Sequence, residues 1–196
     1  MRLLFENKDL RCFYKESGEH TLKTSNSVKD ESMCLYRLDY CTSGIVVCAK
    51  NKTVFDTIKQ LQQKDMIIKT YVSRVQNSKV LSKFNCPFKI ETYFRPYKEG
   101  RIKVKPVQEK ELKKYKNKDV TERKYISTVI NTDDDNVTVQ ITRGFRHQIR
   151  SHLSFLGCPI IGDTLYGYNG LEDKKPERIE LVCQGIIIPG IFEYSL

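Results

Sequence analysis

Two short stretches of the chain combine charged side chains with glycine, a pattern typical of active-site loops. Residues 36–44 (YRLDYCTSG) carry Asp39 shortly before a run of apolar residues, and residues 144–150 (GFRHQIR) carry Arg146 and Arg150. A carboxylate that takes part in catalysis is stabilised in its charged form by a nearby cation. The two stretches together therefore suggest a site in which Asp39 is paired with an arginine.

The local context of these residues favours such a site. Asp39 precedes a buried strand predicted at residues 45–49, a placement that holds a side chain at a cleft. Arg146 lies one helical turn before Arg150, so both can face the same side. The ordinary alternatives are a loop aspartate that caps nearby backbone amides and two arginines on a salt-bridged surface helix. The apolar residues of the second stretch count against a fully exposed helix.

Both stretches resemble the signature of the RluA-type pseudouridine synthases. The nucleophile motif of that family reads His-Arg-Leu-Asp-x-x-Thr-Ser-Gly, and its late motif reads Gly-Arg-Thr-His-Gln-Ile-Arg. The resemblance continues through residues 159–163 (PIIGD) and 166–167 (YG), with weaker matches at residues 15–18 (KESG) and 69–71 (KTY). Matches in family order over nearly the whole chain make a specific signal, whereas Arg-Leu-Asp alone would be a weak one.

The resemblance implies a reaction and a set of catalytic residues. Members of the family isomerise uridine in RNA to pseudouridine: the glycosidic bond is broken, and the freed uracil turns and is rejoined through carbon. Asp39 would be the nucleophile and Arg150 its ion-pair partner. Tyr71 would stack under the target base and take part in the late proton removal. Without the preceding Lys69 and Thr70, Tyr71 would be interpreted as an ordinary core tyrosine.

The resemblance also implies RNA contacts at Arg37, Arg146, His147 and Gln148. Arg37 would fill the gap that the flipped nucleotide leaves, because a base can be isomerised only outside the stack. For His147 and His152, a structural hydrogen-bonding role is favoured over a role as proton carrier.

The chain departs from the family pattern at three positions. Tyr36 stands where the family usually has His, Phe145 where it usually has Arg, and Glu16 where it usually has Pro. These changes concern substrate contacts more than the chemical step. Arg146, one position after Phe145, is a candidate substitute for the missing arginine.

Bulk properties narrow the class of protein. The formal net charge of +10 favours a polyanionic partner, without choosing between RNA and DNA. The length of 196 residues predicts a single domain over 1–196. The resemblance implies that this is the catalytic domain, without the separate N-terminal RNA-binding module of many relatives. Seven cysteines without zinc-site spacing predict free thiols in a reducing compartment. With the resemblance, these properties predict a monomeric cytoplasmic protein that binds RNA, not DNA or membrane, and needs no cofactor or metal.

Strand patterns outnumber helical patterns along the chain. Strands are predicted within residues 5–14, as a hairpin, and at 45–49, 68–75, 102–105, 123–130, 137–142 and 181–188. Helices are predicted after Asn51 or Thr53 and over residues 147–156, while residues 21–32 look irregular and 109–118 form a loop or short helix. The hairpins predict an α+β fold with a mixed, mostly antiparallel central sheet and flanking helices.

Two other functions stay open at this stage. An RNA-binding protein that has lost activity and assists RNA folding would explain Tyr36 and Phe145, although the intact Asp39 argues against it. A basic DNA-binding protein would explain the charge but none of the ordered motifs. Within the leading hypothesis, ribosomal RNA and transfer RNA are both candidate substrates.

Overall fold

The computed structural model describes residues 1–21, 33–98, 100, 102–115, 120–170 and 178–196. Within these residues, ten strands form one sheet. In chain order they are β1 Arg2–Glu6, β2 Leu10–Lys15, β3 Ser43–Ala49, β4 Ile68–Arg74, β5 Phe88–Tyr97, β6 Lys103–Val107, β7 Tyr125–Asp133, β8 Asn136–Ile141, β9 Leu181–Ile188 and β10 Phe192–Ser195. The helices are α1 Lys52–Gln63, α2 Gln148–Phe155 and the short 3-10 helices Ser78–Lys83, Glu109–Tyr115 and Tyr168–Gly170.

The sheet is built mostly from antiparallel neighbours. The strand order is β1-β2-β3-β9-β4-β8-β7-β5-β6, and β10 pairs with β9. Among the described strands, β3 and β9 run parallel, and the other pairs run antiparallel. β9 therefore lies between β3 and β4 and joins the N-terminal strands to the rest of the sheet. The predicted α+β fold with a mixed, mostly antiparallel sheet is confirmed.

Gly44 permits the close approach of β3 to β9. Its φ of +119° is a backbone conformation that residues with a Cβ rarely adopt. A Cβ at this position would collide with the backbone of Cys183 in β9. The five residues that follow Gly44 are buried and apolar, as in a strand covered on both faces. The loop that carries Asp39 is thus anchored at its end to the centre of the sheet.

Helix α2 begins at a residue with left-handed backbone geometry. His147 has φ 55°, and the side-chain oxygen of Gln148 accepts a hydrogen bond of 2.9 Å from the Phe145 amide. Gly157, with φ +87°, ends the helix as predicted. Because the chain turns at His147, Arg146 lies before the helix, and the predicted helical spacing between Arg146 and Arg150 is wrong.

A buried polar network joins α2 to the sheet. The Nε2 atom of His152 lies 2.9 Å from the Thr92 hydroxyl, and its Nδ1 atom lies 2.9 Å from the Ser127 hydroxyl. Burial lowers the pKa of His152 to about 3. Burial, followed by the neighbouring Arg150 charge, lowers the pKa of His147 to about 4. Both imidazoles are therefore neutral in the folded protein at pH 7.

Most of the predicted elements are present. The hairpins β1–β2 and β7–β8 are confirmed, and Asn51 caps α1 by accepting a hydrogen bond of 2.9 Å from the Val54 amide. The sequence pattern does not predict β5, whose inward residues include the polar Thr92, or the short β10. The alternation of basic residues in the predicted strand 102–105 favours an exposed basic face, but Lys103 is buried with its ammonium group over the rings of Tyr97 and Tyr166.

The cysteines differ from the prediction at one pair. Cys34 and Cys48 are joined by a disulfide bond, because an isolated β-bridge places them opposite each other. The five other cysteines have free thiols. The predictions for residues 22–32 and 116–118 lie outside the described residues. In the described part of the chain, no helix has the length and apolar character needed to cross a membrane.

We expect Gly44→Ala to lower the free energy of unfolding by roughly 3 kcal/mol, because the added Cβ meets the backbone of β9. Urea unfolding followed by circular dichroism measures the change. Gly157→Ala is the matched control, since Gly157 also has a positive φ but no atom within 4 Å of the position that an added Cβ would take. The control should lose only about 1 kcal/mol. Equal losses in the two variants would contradict a specific contact between β3 and β9.

The two neutral histidines predict a loss of stability in mild acid. Below the ordinary histidine pKa of 6.5, the unfolded chain binds protons at His147 and His152 that the folded chain does not bind. Stability is therefore full above pH 6.5 and falls as the pH drops toward 4. Between pH 7.5 and 5.5 each histidine should cost about 1.4 kcal/mol of unfolding free energy.

Urea titrations at the two pH values measure this effect, with His152→Gln as the comparison. Removing one of the two titrating groups should halve the pH dependence. An unchanged pH dependence in His152→Gln would show that other groups cause the acid sensitivity.

Candidate active site

All the site residues named from the sequence line one cavity. Its volume is about 550 Å³, within the range usual for small-ligand pockets. The cavity is bounded by the Asp39 loop, by the start of β4 and by the segment that leads into α2. The predicted residues that line it are Arg37, Asp39, Tyr71, Arg146, His147, Gln148 and Arg150. The fold thus brings together the two stretches that suggested a common site.

The Asp39 loop is held in place by hydrogen bonds from a buried lysine. The ammonium group of Lys15 donates hydrogen bonds to the backbone carbonyls of Glu16 at 2.8 Å, Glu19 at 2.9 Å and Tyr40 at 3.2 Å. Burial lowers the pKa of Lys15, but these carbonyls satisfy its donors. A turn closes the loop through the Thr42 amide, which donates to the Asp39 backbone carbonyl at 3.0 Å. The Asp39 side chain is left to point toward α2.

Arg150 joins two carboxylates. Its Nε and Nη2 atoms donate to the two oxygens of Asp163 at 2.6 and 2.9 Å, a bidentate pair. Its Nη1 atom donates to Asp39 at 3.3 Å. Burial alone would lower the pKa of Arg150, but the bonds to Asp163 outweigh burial and raise it. The side chain of Asp163 is 0% exposed, whereas that of Asp39 is 28% exposed. Asp39 is therefore the carboxylate that a bound molecule can reach.

His147 lies on the other side of Asp39. The Tyr166 hydroxyl accepts a hydrogen bond from the Val104 amide at 3.0 Å, which leaves its own proton for His147 Nδ1, also at 3.0 Å. In the tautomer in which the Tyr166 hydroxyl donates to Nδ1, the imidazole proton is on Nε2, which lies 3.8 Å from the Asp39 carboxylate. In this tautomer His147 presents a neutral donor toward Asp39. The geometry agrees with the hydrogen-bonding role preferred from the sequence.

Tyr71 forms part of the cavity with its phenol kept neutral. Its side chain is 6% exposed, and its hydroxyl is hydrogen-bonded to the thiol of Cys183 on the neighbouring strand. Burial raises the pKa of Tyr71 well above its ordinary value. A neutral, fixed ring suits stacking against a planar base, while proton removal by Tyr71 would need the phenolate that burial disfavours.

Tyr36, at the family's histidine position, is built into the same region. Its hydroxyl donates to the Ile45 carbonyl at 3.0 Å, and the ammonium group of Lys69 lies 5.0 Å from its ring centroid. Burial lowers the pKa of Lys69 and raises that of Tyr36. Tyr36 therefore fixes the start of the Asp39 loop against β3, which is a structural role.

Two exposed arginines are among the residues that line the cavity. Arg37 and Arg146 come from the two different stretches. Exposed guanidinium groups beside a cavity suit a phosphate backbone. Gln148 is different, because its side-chain amide donates to the Ile126 carbonyl at 2.9 Å and to the Ser127 hydroxyl at 3.2 Å. Its predicted contact with RNA stays a prediction.

The arrangement offers a carboxylate, a neutral donor and an aromatic face in one cavity. Such a set can attack or orient a small planar substrate and hold it by stacking. Among the described residues, no group of three or more His, Cys, Asp or Glu side chains is arranged to hold a metal ion.

Sequence reasoning did not assign a role to Asp163, Lys15 or Tyr166. For Asp163 a signal was available: it follows an apolar run, and a carboxylate is rarely fully buried unless it is paired. Lys15 and Tyr166 lie in motifs that were matched as sequence only. Their hydrogen bonds to loop carbonyls and to His147 depend on three-dimensional proximity, so no spacing rule would have found them.

Comparison with known proteins identifies the family of the chain. Residues 12–155 match the model of the family described as "RNA pseudouridylate synthase". The chain is 30% identical to an uncharacterized RNA pseudouridine synthase of Helicobacter pylori, over 79% of this chain and 45% of the relative. It is 30% identical to the tRNA pseudouridine(31) synthase of Saccharomyces cerevisiae, over 93% of this chain and 50% of the relative.

A third relative is the dual-specificity RNA pseudouridine synthase RluA of Vibrio cholerae, 32% identical over 74% of this chain and 52% of the relative. The chain thus spans about half the length of these curated relatives. Among solved structures, human RNA Pseudouridylate Synthase Domain Containing 1 has the same fold, with a TM-score of 0.75, 18% identity, and coverage of 100% of this chain and 82% of that one. The chain belongs to the RNA pseudouridylate synthase family, and within it to the RluA type.

Proposed function

We propose that the protein is an RNA pseudouridine synthase in which Asp39 is the nucleophile. The observation that carries this proposal is the position of the Asp39 carboxylate, 3.3 Å from Arg150 and on the wall of the cavity that also contains Tyr71. Family membership supports the same reaction class.

In the proposed reaction, a uridine enters the cavity and its base stacks on Tyr71. The Asp39 carboxylate attacks the nucleoside, and the bond between the sugar and the base nitrogen breaks. The uracil turns within the cavity, and its C5 atom bonds to the sugar as the bond to Asp39 breaks. The hydrogen at C5 leaves as a proton to water, and N1 takes up a proton in its place. Arg150 orients the carboxylate, and the neutral His147 imidazole lies 3.8 Å from the same oxygen.

The proposed substrate is a structured ribosomal or transfer RNA. The exposed Arg37 and Arg146, which line the cavity, would contact its phosphates, and the net charge of +10 would attract it. The names of relatives support both kinds of RNA: one is a tRNA pseudouridine(31) synthase, and another is a ribosomal large subunit pseudouridine synthase D. We further propose that the chain acts as a monomer in the cytoplasm, as a single catalytic domain.

The second candidate is an inactive RNA-binding protein on the same scaffold. The observation that supports this candidate is that Phe145 stands where the family usually has arginine. Tritium release from RNA that contains 5-tritiated uridine separates the two functions, since binding alone releases no tritium. Unmodified transcripts of ribosomal and transfer RNA, incubated without added metal and with EDTA, are the appropriate substrates.

We expect Asp39→Asn to abolish tritium release, a loss of roughly 10⁴-fold or more, because the amide is a poor nucleophile of the same size. The variant should keep its fold, since Asp163 still neutralises Arg150, and its unfolding free energy should change by less than about 1 kcal/mol. RNA affinity, measured by filter binding, should be nearly unchanged. Substantial turnover by the purified variant would exclude Asp39 as the nucleophile.

The two arginines of the second stretch should act on different kinetic constants. Arg150→Lys keeps a buried charge for Asp163 but loses the fork that also reaches Asp39, so kcat should fall by roughly 10²-fold. Arg146→Ala should raise KM and leave kcat nearly unchanged. Loss of an exposed phosphate contact weakens RNA binding, and a higher RNA concentration compensates for weaker binding. Initial rates at saturating RNA measure both. A lower kcat for Arg146→Ala than for Arg150→Lys would reverse these assignments.

A further inference from the structure

An aromatic cluster extends from the cavity to the neighbouring strands. Phe145 lies on the cavity wall, and its ring is parallel to that of Phe94, with centroids 5.0 Å apart and an angle of 6°. Tyr125 packs against Phe145 at 5.0 Å and 45°. Phe94 itself is 0% exposed and stacks on His152 at 4.9 Å. Phe145 is therefore the half-buried outer member of a stack that continues into the core.

The position of the Phe145 ring is fixed from two sides. Its backbone amide donates to the Gln148 side chain, which is itself bonded to the Ile126 carbonyl and the Ser127 hydroxyl. Phe94 covers one ring face and Tyr125 packs against the ring at an angle, while the part of Phe145 that stays exposed lines the cavity. A flat apolar surface is thus held in place before any ligand binds, which reduces the entropy cost of binding.

We propose that Phe145 is a stacking platform for the nucleobase next to the target uridine. This inference rests on the proposed function, because it takes RNA as the occupant of the cavity. It differs from the role of Tyr71, which is 6% exposed inside the cavity, whereas Phe145 is half-buried at its wall beside the exposed Arg146. A nucleobase above Phe145 would have its backbone phosphate within the region of Arg146.

The charge around the platform favours a nucleic acid strand. Arg37 and Arg146 are exposed on the same cavity, and the whole chain carries a net charge of +10. A base stacked on an aromatic side chain contributes about 1–3 kcal/mol and does not depend strongly on base identity. The replacement of the family's arginine by Phe145 therefore exchanges a charged contact for a stacking contact at this position.

The chain has no tryptophan, which allows a direct test. Phe145→Trp, combined with Asp39→Asn to prevent turnover, places a single fluorophore on the platform. The probe is a short single-stranded RNA with one uridine between adenosines, compared with the same RNA carrying abasic residues on both sides of the uridine. Phe155→Trp, in the same Asp39→Asn background, is the control because Phe155 is exposed on α2 outside the cavity.

Intact RNA should quench the emission of Phe145→Trp but not that of Phe155→Trp. Abasic flanks should remove most of the quenching and weaken binding by roughly 5- to 150-fold, the loss expected for one stacked base. Equal quenching by the two RNAs, or binding without quenching, would overturn the proposal. Failure of the RNA to bind at any concentration tested would overturn it as well.

A second variant tests the stacking without the larger tryptophan side chain, which could itself change the local structure. Phe145→Leu keeps apolar volume against Phe94 but has no ring face. In the Asp39→Asn background it should bind the intact and abasic RNAs with equal affinity by fluorescence anisotropy of a labelled RNA. A preserved preference for intact RNA would contradict stacking on Phe145. These binding measurements do not require turnover, so they separate a wrong platform from a wrong enzymatic function, which tritium release tests independently.

Discussion

The buried ion pair between Arg150 and Asp163 is the interaction on which the site depends. Both side chains are almost completely removed from water, and desolvation of two charges is costly unless the geometry repays it. The bidentate bonds of 2.6 and 2.9 Å satisfy that condition and fix the plane of the guanidinium group. The Nη1 atom, the guanidinium nitrogen that is not bonded to Asp163, is then directed toward Asp39. A single rigid pair in the core thus defines the direction from which Asp39 is held.

The pair also determines the charge of the site. Asp163 neutralises Arg150, so Asp39 brings an additional negative charge, placed where 28% of its side chain is exposed. If that charge is consumed in a bond to a nucleoside, a balanced pair is left behind in the core. An arginine paired only with Asp39 would become an unpaired buried cation at the same moment. Because Asp163 pairs with Arg150, the stability of the core does not depend on whether Asp39 is charged or bonded to the nucleoside.

Much of this arrangement follows from local sequence patterns. The strand after Gly44, the cap at Asn51 and the helix that ends at Gly157 are set by apolar runs, a short polar side chain and glycine. The seven site residues were found from motif matches, and they line one cavity. Each of these features was predicted from residues that are neighbours within one short segment of the chain.

The features that escaped prediction depend on residues far apart in the chain. Thr92 lies on the buried face of β5 because it shares a hydrogen bond with His152, so a strand pattern based on apolar residues misses β5. Lys103 is buried because two aromatic rings accept its ammonium group. The left-handed backbone at His147 takes Arg146 off the helix, although position 147 is not a glycine that would have signalled the turn. At these positions tertiary contacts override the local preference of the residues for helix or strand.

The place of β9 in the sheet has a consequence for how the chain folds. β3 and β4 are consecutive strands, yet β9 lies between them and pairs with both. During synthesis the ribosome releases β3 and β4 long before β9, so each has an unpaired edge until β9 is available. Closing the gap requires contacts between distant parts of the chain, which form slowly. The continuity of the sheet thus depends on β9, whose Leu181 also lines the cavity.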